Sequence, residues 1–341
     1  MNKIKYLGVG EDDIINLLFR VWLAIRLDKH WLIYQRKIFC NWVILLSLLL
    51  TGCNHPISQQ SPNTPVNSIK ATKSTNNIPA PRKASVQRIV ALTSLSADII
   101  HQLDQTKLVG ITGSSLLNKD PRFESIQRVS QGQTLPDLEK IIALKPDLVI
   151  GAEGFSEQIL EQLKKMGVAT FATKVNSWTS LEELTKTLAG FIAVDPTPLL
   201  NRYQTFLPNH TQSSISTLVL VSRQPILTPN KNSWAGDLLR QFKIKNLAAD
   251  LQGNSPIRGY ITLSPEKVLA ANPEVIILIS PPQGGSQNAV LDSFKKESFW
   301  QNLQATKNNQ VYVFDYYGLV NAGSIDAIEK ACQQLKQALY R

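Results

Sequence analysis

The side chains of this 341-residue chain that could do chemistry are few and scattered. Its four histidines are His30, His55, His101 and His210, and its three cysteines are Cys40, Cys53 and Cys332. They form no cluster at ligand spacing, which excludes a zinc site of three or four His/Cys ligands and a disulfide framework. The chain has no G-x-S-x-G elbow, no G-x-x-x-x-G-K-[ST] loop and no G-x-G-x-x-G turn. Neither His101 nor His210 neighbours a serine, cysteine or acid in a triad-like pattern. What remains is a thiol behind an apolar run (Cys53), two glutamates in repeated settings (Glu139 and Glu266), and hydroxyls, aromatics and an arginine at the ends of candidate strands. Those groups suit acylation, ion pairing and non-covalent binding respectively.

Arg36 and Lys37 precede the apolar run at 38–50, which ends in Thr51-Gly52-Cys53. A basic start, about 13 mostly apolar residues and then small residues make a signal-peptide layout. The run is shorter than the roughly 20 residues a membrane span needs. Its ending resembles the bacterial lipobox, in which the cysteine is acylated and becomes the first mature residue. That resemblance implies lipidation of Cys53 and an extracytoplasmic, membrane-anchored chain in the periplasm or at the cell surface; an uncleaved short anchor is the alternative. Residues 1–35 read either as an amphipathic helix or as sequence upstream of the true start. Residues 53–85 are rich in Pro, Ser, Thr, Asn and Gln, too polar to build a core, and predict a flexible tether.

Positioning elements begin after the tether. Apolar runs at 88–92, 108–112, 147–152 and 168–173 alternate with helical stretches at 96–103, 138–144 and 155–167. The second half repeats the scheme, with strands at 217–222 and 310–315, a helix-to-strand unit at 264–280 and helices at 234–242, 290–296 and 324–340. Such alternation predicts an α/β fold of two lobes, each with a mostly parallel central sheet flanked by helices. A helical bridge, interrupted at Asp195-Pro196, joins them. The expected division is a leader and signal peptide over 1–52, the tether over 53–85, lobes over 86–176 and 214–341, and the bridge over 177–213. The phrase EKIIALKPDLVI (139–150) returns as EKVLAANPEVII (266–277), marking the equivalent unit of each lobe. Each leading glutamate stands in a first helical turn, where negative charge is favoured by about 0.3–1 kcal/mol. The formal charge of +10 favours anionic ligands or surfaces. No basic block or basic stripe interleaved with aromatics occurs, so nucleic acid is not an expected partner.

Three stretches together resemble the helical-backbone binding proteins that serve ABC importers of ferric siderophores, haem and vitamin B12. They are RIVALTSLSADIIHQL (88–103), LPDLEKIIALKPDLVIGAEG (135–154) and RGYITLSPEKVLAANPEVII (258–277), and the likeness spans 86–340. It implies a non-enzymatic protein with no catalytic residue, resident cofactor or metal site. It implies that Glu139 and Glu266 dock on an ABC permease dimer, whose two equivalent sites suit a duplicated glutamate. The ligand cleft of such folds lies outside the carboxyl ends of the strands. There Ser94, Ser114, Ser115, Glu153 and Phe155 are expected to face Arg223, Trp234, Tyr260, Tyr316 and Tyr317. An iron–siderophore complex is the expected ligand, because aromatics pack on catechols and macrocycles and a guanidinium pairs with oxygens around iron. Cobalamin, haem, and a lipoprotein sensor or scaffold without transport ligand are the alternatives. Two departures stand out: Ala152 occupies a place where the B12-binding branch has Trp, and Pro196 and Pro208 interrupt a bridge that is one long rod in the family.

Overall fold

The structure, a computed structural model, describes residues 85–340 except 132–133, 210–214, 254, 256 and 283–285. Cys53, His210, the leader and nearly all of the expected tether lie outside the described residues.

Strands β1 (Ile89–Ala91), β2 (Leu108–Ile111), β3 (Gln127–Arg128), β4 (Leu148–Ala152) and β5 (Ala169–Thr173) form a parallel sheet in the order β3-β2-β1-β4-β5. Helices α1 (Ser94–Asp104), α2 (Leu138–Ala143) and α3 (Glu157–Lys165) accompany it. Thr93 caps α1, its Oγ1 accepting from the Ser96 amide, so the cap is one residue earlier than the first serine of the stretch. Gly167, at φ +84°, takes the left-handed turn that ends α3.

Two helices, α4 (Trp178–Ile192) and α5 (Thr197–Phe206), cross to the second half. Ser177 and Ser180 close a capping box at the start of α4. Ala193, in the left-handed region, ends it, and Pro196 leads into α5.

The second half contains β6 (Ser216–Leu220), β7 (Ser222–Arg223), β8 (Ile226–Pro229), α6 (Trp234–Gln241), β9 (Lys245–Asn246), β10 (Tyr260–Leu263) and α7 (Pro265–Ala271). It continues through β11 (Val275–Ser280), α8 (Gln287–Lys295), β12 (Val311–Asp315) and α9 (Ile325–Leu339). Its main sheet is parallel, ordered β12-β11-β6-β9, and β11 is buried along its whole length, as a strand covered by helices on both faces must be. A separate antiparallel sheet, β10-β8-β7, was not expected. Its hairpin pairs only Ser222 with Leu227 and Arg223 with Ile226, too short a run for alternation to show in sequence.

One apolar core joins the two parallel sheets. It contains Ile89 and Ile150 of the first sheet, Leu181 and Leu188 of α4, Val219 and Ile277 of the second sheet, and Ile328 and Leu335 of α9. Polar contacts cross the same boundary. Asp98 on α1 accepts the Ile325 amide of α9 at 2.7 Å, and Asp237 on α6 accepts the Trp178 amide of α4 at 2.7 Å. Arg122 and Arg202 both reach Asp326 of α9, at 2.6 and 2.7 Å. Wide opening of the two halves would expose this core, so their relative placement is a property of the packing.

Candidate functional site

The carboxyl ends of β1 and β2 gather hydroxyl groups. Ser94 donates to Ser114 Oγ at 2.8 Å, and the same oxygen accepts the Leu117 amide at 3.2 Å, capping the helical turn Ser115–Asn118. Neither bond uses the Ser114 proton. Thr112 and Ser130 hydroxyls lie 3.0 Å apart, and Ser130 Oγ also accepts the Gly113 amide. A Cβ on Gly113 would sit 2.2 Å from the Ser130 carbonyl oxygen, so this close approach of the β2 end to its neighbouring loop needs glycine. Ser115 is half-buried beside them.

The end of β4 is more open. Glu153 is exposed and lies 3.6 Å from Lys174, and the Phe155 side chain is 89% exposed.

The opposing wall forms around the loop after β12. Tyr316 and Tyr317 follow the strand directly, with ring centroids 5.4 Å apart in an edge-on arrangement. Tyr260, at the start of β10, donates to the Val320 carbonyl at 3.4 Å. Burial pushes the Tyr260 phenol well above its ordinary range, with Tyr316 adding to the effect. Burial likewise raises the Tyr316 phenol, against a hydrogen bond with Asn321. Both phenols therefore stay neutral donors.

Two expected residues are placed otherwise than a free ligand group would be. Arg223 lies at the tip of the β7–β8 hairpin, where its Nη1 pairs with Glu297 at 2.9 Å while the side chain stays partly open. Trp234 is 4% exposed, stacked on Trp178 at 6.2 Å, and donates Nε1–H to the Gly318 carbonyl at 2.8 Å. Trp234 belongs to the core and holds the tyrosine-bearing loop from beneath. The structure thus joins Ser94 with Ser114, and Tyr260 with Tyr316 and Tyr317. Among the described residues, no hydrogen bond or ion pair links Glu153, Phe155 or Arg223 to either cluster. Leu116 and Gly323 carry no chemical signal in sequence, yet a Cβ on Gly323 would lie 3.2 Å from Leu116 Cδ2.

Two surface cavities lie elsewhere. One of about 640 Å³ borders Leu207, Lys336 and Tyr340, and one of about 420 Å³ lies between α8, β12 and α9. None of the expected ligand residues lines them. Among the described residues no group of three or more His, Cys, Asp or Glu side chains is placed to hold a metal ion.

Glu139 and Glu266 are exposed in units that match side chain by side chain. Asp137 caps α2 by accepting the Glu139 and Lys140 amides, and its counterpart Ser264 caps α7 by accepting the Lys267 amide. Each helix is followed by a left-handed residue before a proline, Lys145 at φ +47° and Asn272 at φ +38°. Each next carboxylate then ties down the adjacent strand: Asp147 accepts the Gln87 and Arg88 amides, and Glu274 the Ser216 amide. The Ser264 hydroxyl, hydrogen-bonded to Glu266, holds that carboxyl below the usual range, so it is ionised at neutral pH.

The family model described as "Periplasmic binding protein" matches residues 89–193 and 201–317. An ABC transporter substrate-binding lipoprotein of Bacillus subtilis is 24% identical over 317 residues, covering 86% of this chain and 95% of that one. A vitamin B12-binding protein of Vibrio cholerae is 24% identical over 263 residues, covering 74% of this chain and 90% of that one. Among solved structures, a possible iron-binding periplasmic solute-binding protein from Staphylococcus epidermidis superposes with a TM-score of 0.64 at 19% identity, covering 75% of this chain and all of that one. With an α/β fold of two parallel sheets and a family match across most of the described residues, the chain belongs to the periplasmic binding protein family, the non-enzymatic substrate-binding proteins of ABC importers for siderophores, haem and vitamin B12.

Proposed function

We propose that the protein is the membrane-anchored, extracytoplasmic binding component of an importer for a ferric siderophore. It holds the chelate between the two walls and delivers it to a permease dimer through Glu139 and Glu266. The observation that carries this reading is that hydroxyls (Ser94, Ser114, Ser115) stand at the strand ends of one sheet and phenols (Tyr260, Tyr316, Tyr317) beside the other, with Leu116 and Tyr317 both bordering the space next to Gly323. A bulky chelate presents acceptor oxygens to such donors and flat rings to the tyrosines, and no bond need be made or broken. The shared core favours binding without wide movement of the halves.

Fluorescence titration of the protein against ferric enterobactin, ferrichrome, hemin and cyanocobalamin tests this. Saturable quenching by one of the ferric siderophores is expected. A response to cyanocobalamin alone would overturn the siderophore assignment in favour of a corrinoid, the reading that the 24% identity to a vitamin B12-binding protein supports. Silence toward all four would remove the transport ligand altogether.

For docking, Glu139→Ala combined with Glu266→Ala is expected to cut uptake by about tenfold or more while the titration is unchanged. Intact uptake in that double variant would reduce the two carboxylates to helix-end charges. Lipidation of Cys53 is proposed on the lipobox and on the lipoprotein relative. Cys53→Ser is expected to release the protein from the membrane fraction; retention there would point to an uncleaved anchor.

A further inference from the structure

We propose that Gly323 is a specificity-determining residue, which fixes the floor of the cleft by letting the Tyr317 ring lie flat against the loop; this rests on the reading that the ligand lies between the two walls. Gly323 is buried at φ +65°. A Cβ there would lie 2.7 Å from Cδ1 of Tyr317 and 3.2 Å from Cδ2 of Leu116. Tyr317 comes from the end of β12 and Leu116 from the turn after β2, so the missing side chain is the point where the two walls meet.

The loop itself has nowhere to go. Gly318 N–H donates to the Asn321 carbonyl at 2.7 Å, Gly323 N–H to the Asn321 side chain at 2.9 Å, and Asn321 N–H to the Tyr316 carbonyl at 3.1 Å. Trp234 holds the Gly318 carbonyl from below, and a Cβ on Gly318 would sit 2.1 Å from the Ala327 carbonyl oxygen of α9. A backbone pinned at that many points does not yield to an added methyl group, and the nearest atoms of a β-carbon at Gly323 are side-chain atoms of Tyr317. The added β-carbon therefore presses on the Tyr317 ring, on a backbone whose positive φ strains any side chain there. Tyr317 is half-buried, and its hydroxyl has no hydrogen-bond partner among the described residues, which leaves both its face and its O–H for a ligand. A Tyr317 ring kept beside Gly323 leaves room for a wide, acceptor-rich chelate on the proposed reading; a displaced ring takes up that room.

The test is a double-mutant cycle on the protein, titrated with whichever of ferric enterobactin, ferrichrome, hemin or cyanocobalamin the wild type binds. Gly323→Ala is expected to weaken binding about tenfold or more, and in a Tyr317→Ala background the same change should cost at least about threefold less, the remainder coming from a β-carbon at positive φ and its contact with Tyr317 Cβ. Equal losses in both backgrounds, or no loss in the first, overturn the proposal. Failure of the wild type to bind any of the four is a different result, which strikes the function and not Gly323 alone. If circular dichroism shows Gly323→Ala unfolded, Leu116→Phe adds bulk to the same contact from the other wall. Its expected loss is again about tenfold and again abolished by Tyr317→Ala, and unchanged affinity in Leu116→Phe overturns the proposal.

Discussion

Trp234→Ala is expected to lower the unfolding free energy by about 3–5 kcal/mol, the cost of emptying a large aromatic site in a packed core. Trp234 is buried against Trp178 with the two rings nearly parallel, at an interplanar angle of 15°. Both lie in the core shared by the two sheets, so the void cannot close by movement of one half alone. The two indoles differ in a way that isolates the hydrogen bond from the packing. Trp234 donates to the Gly318 carbonyl, whereas Trp178 Nε1 is buried with no partner. Trp234→Phe leaves that carbonyl unpaired and is expected to cost about 1–3 kcal/mol beyond the lost ring volume. Trp178→Phe removes an unsatisfied donor and should cost less by a similar amount. Urea denaturation of the three variants reads the differences. Equal losses for the two phenylalanine variants would mean that the bond to Gly318 does not support the tyrosine loop.

Asp98→Ala is expected to cost about 3 kcal/mol, the lower end of the range for breaking a buried ionic contact. The Asp98 side chain is fully buried, accepts the Ile325 amide at the start of α9, and faces Arg122 at 3.4 Å. Arg122 keeps Asp120 and Asp326 as partners when Asp98 is lost, which holds the cost below the upper end. Burial raises the Asp98 carboxyl above its ordinary 3.8, against the Ile325 amide and Arg122, which lower it. The folded state therefore binds the proton more tightly than the unfolded chain. The stability this group contributes is fully present below 3.8 and is lost as pH rises through the raised value. Asp120 behaves oppositely: hydrogen bonding from Arg122 lowers its carboxyl, so its contribution is present above 3.8 and is lost only below that. Asp98→Asn removes the first titration alone. The stability of wild type relative to Asp98→Asn should rise as pH falls from above the raised value toward 3.8. A difference that is flat with pH, or that falls, would show that Asp98 is not held in its protonation-sensitive place.

Much of the fold was legible in sequence because the signals are local. The unit from the cap at Asp137 to the end of β4, and its partner from Ser264 to the end of β11, need only a capping side chain, an amphipathic turn, a left-handed residue, a proline and a buried apolar run. All of these act within a few residues. The bridge break at Ala193–Pro196 is of the same kind. The antiparallel hairpin of β7 and β8 was not legible, since two-residue strands carry no period.

The candidate site was legible as residue types at strand ends and not as an arrangement. Chain order places Ser94, Ser114, Tyr316 and Tyr317 after strands of parallel sheets, and parallel strands put those ends on one side. Whether a given side chain then faces the cleft depends on partners far away in sequence. Trp234 is drawn inward by Trp178 and the Gly318 carbonyl, and Arg223 is held by Glu297. Leu116 and Gly323 acquire a role only because two loops from different sheets converge on one missing side chain. By itself, then, the sequence determined the α/β alternation, the duplicated unit with its paired glutamates, and the absence of catalytic motifs, all through short-range backbone and patterning preferences. Tertiary structure alone decided which aromatics became core, which cation was already paired, and where the two walls touch, because a one-dimensional pattern specifies the face a residue presents and not the neighbour it meets.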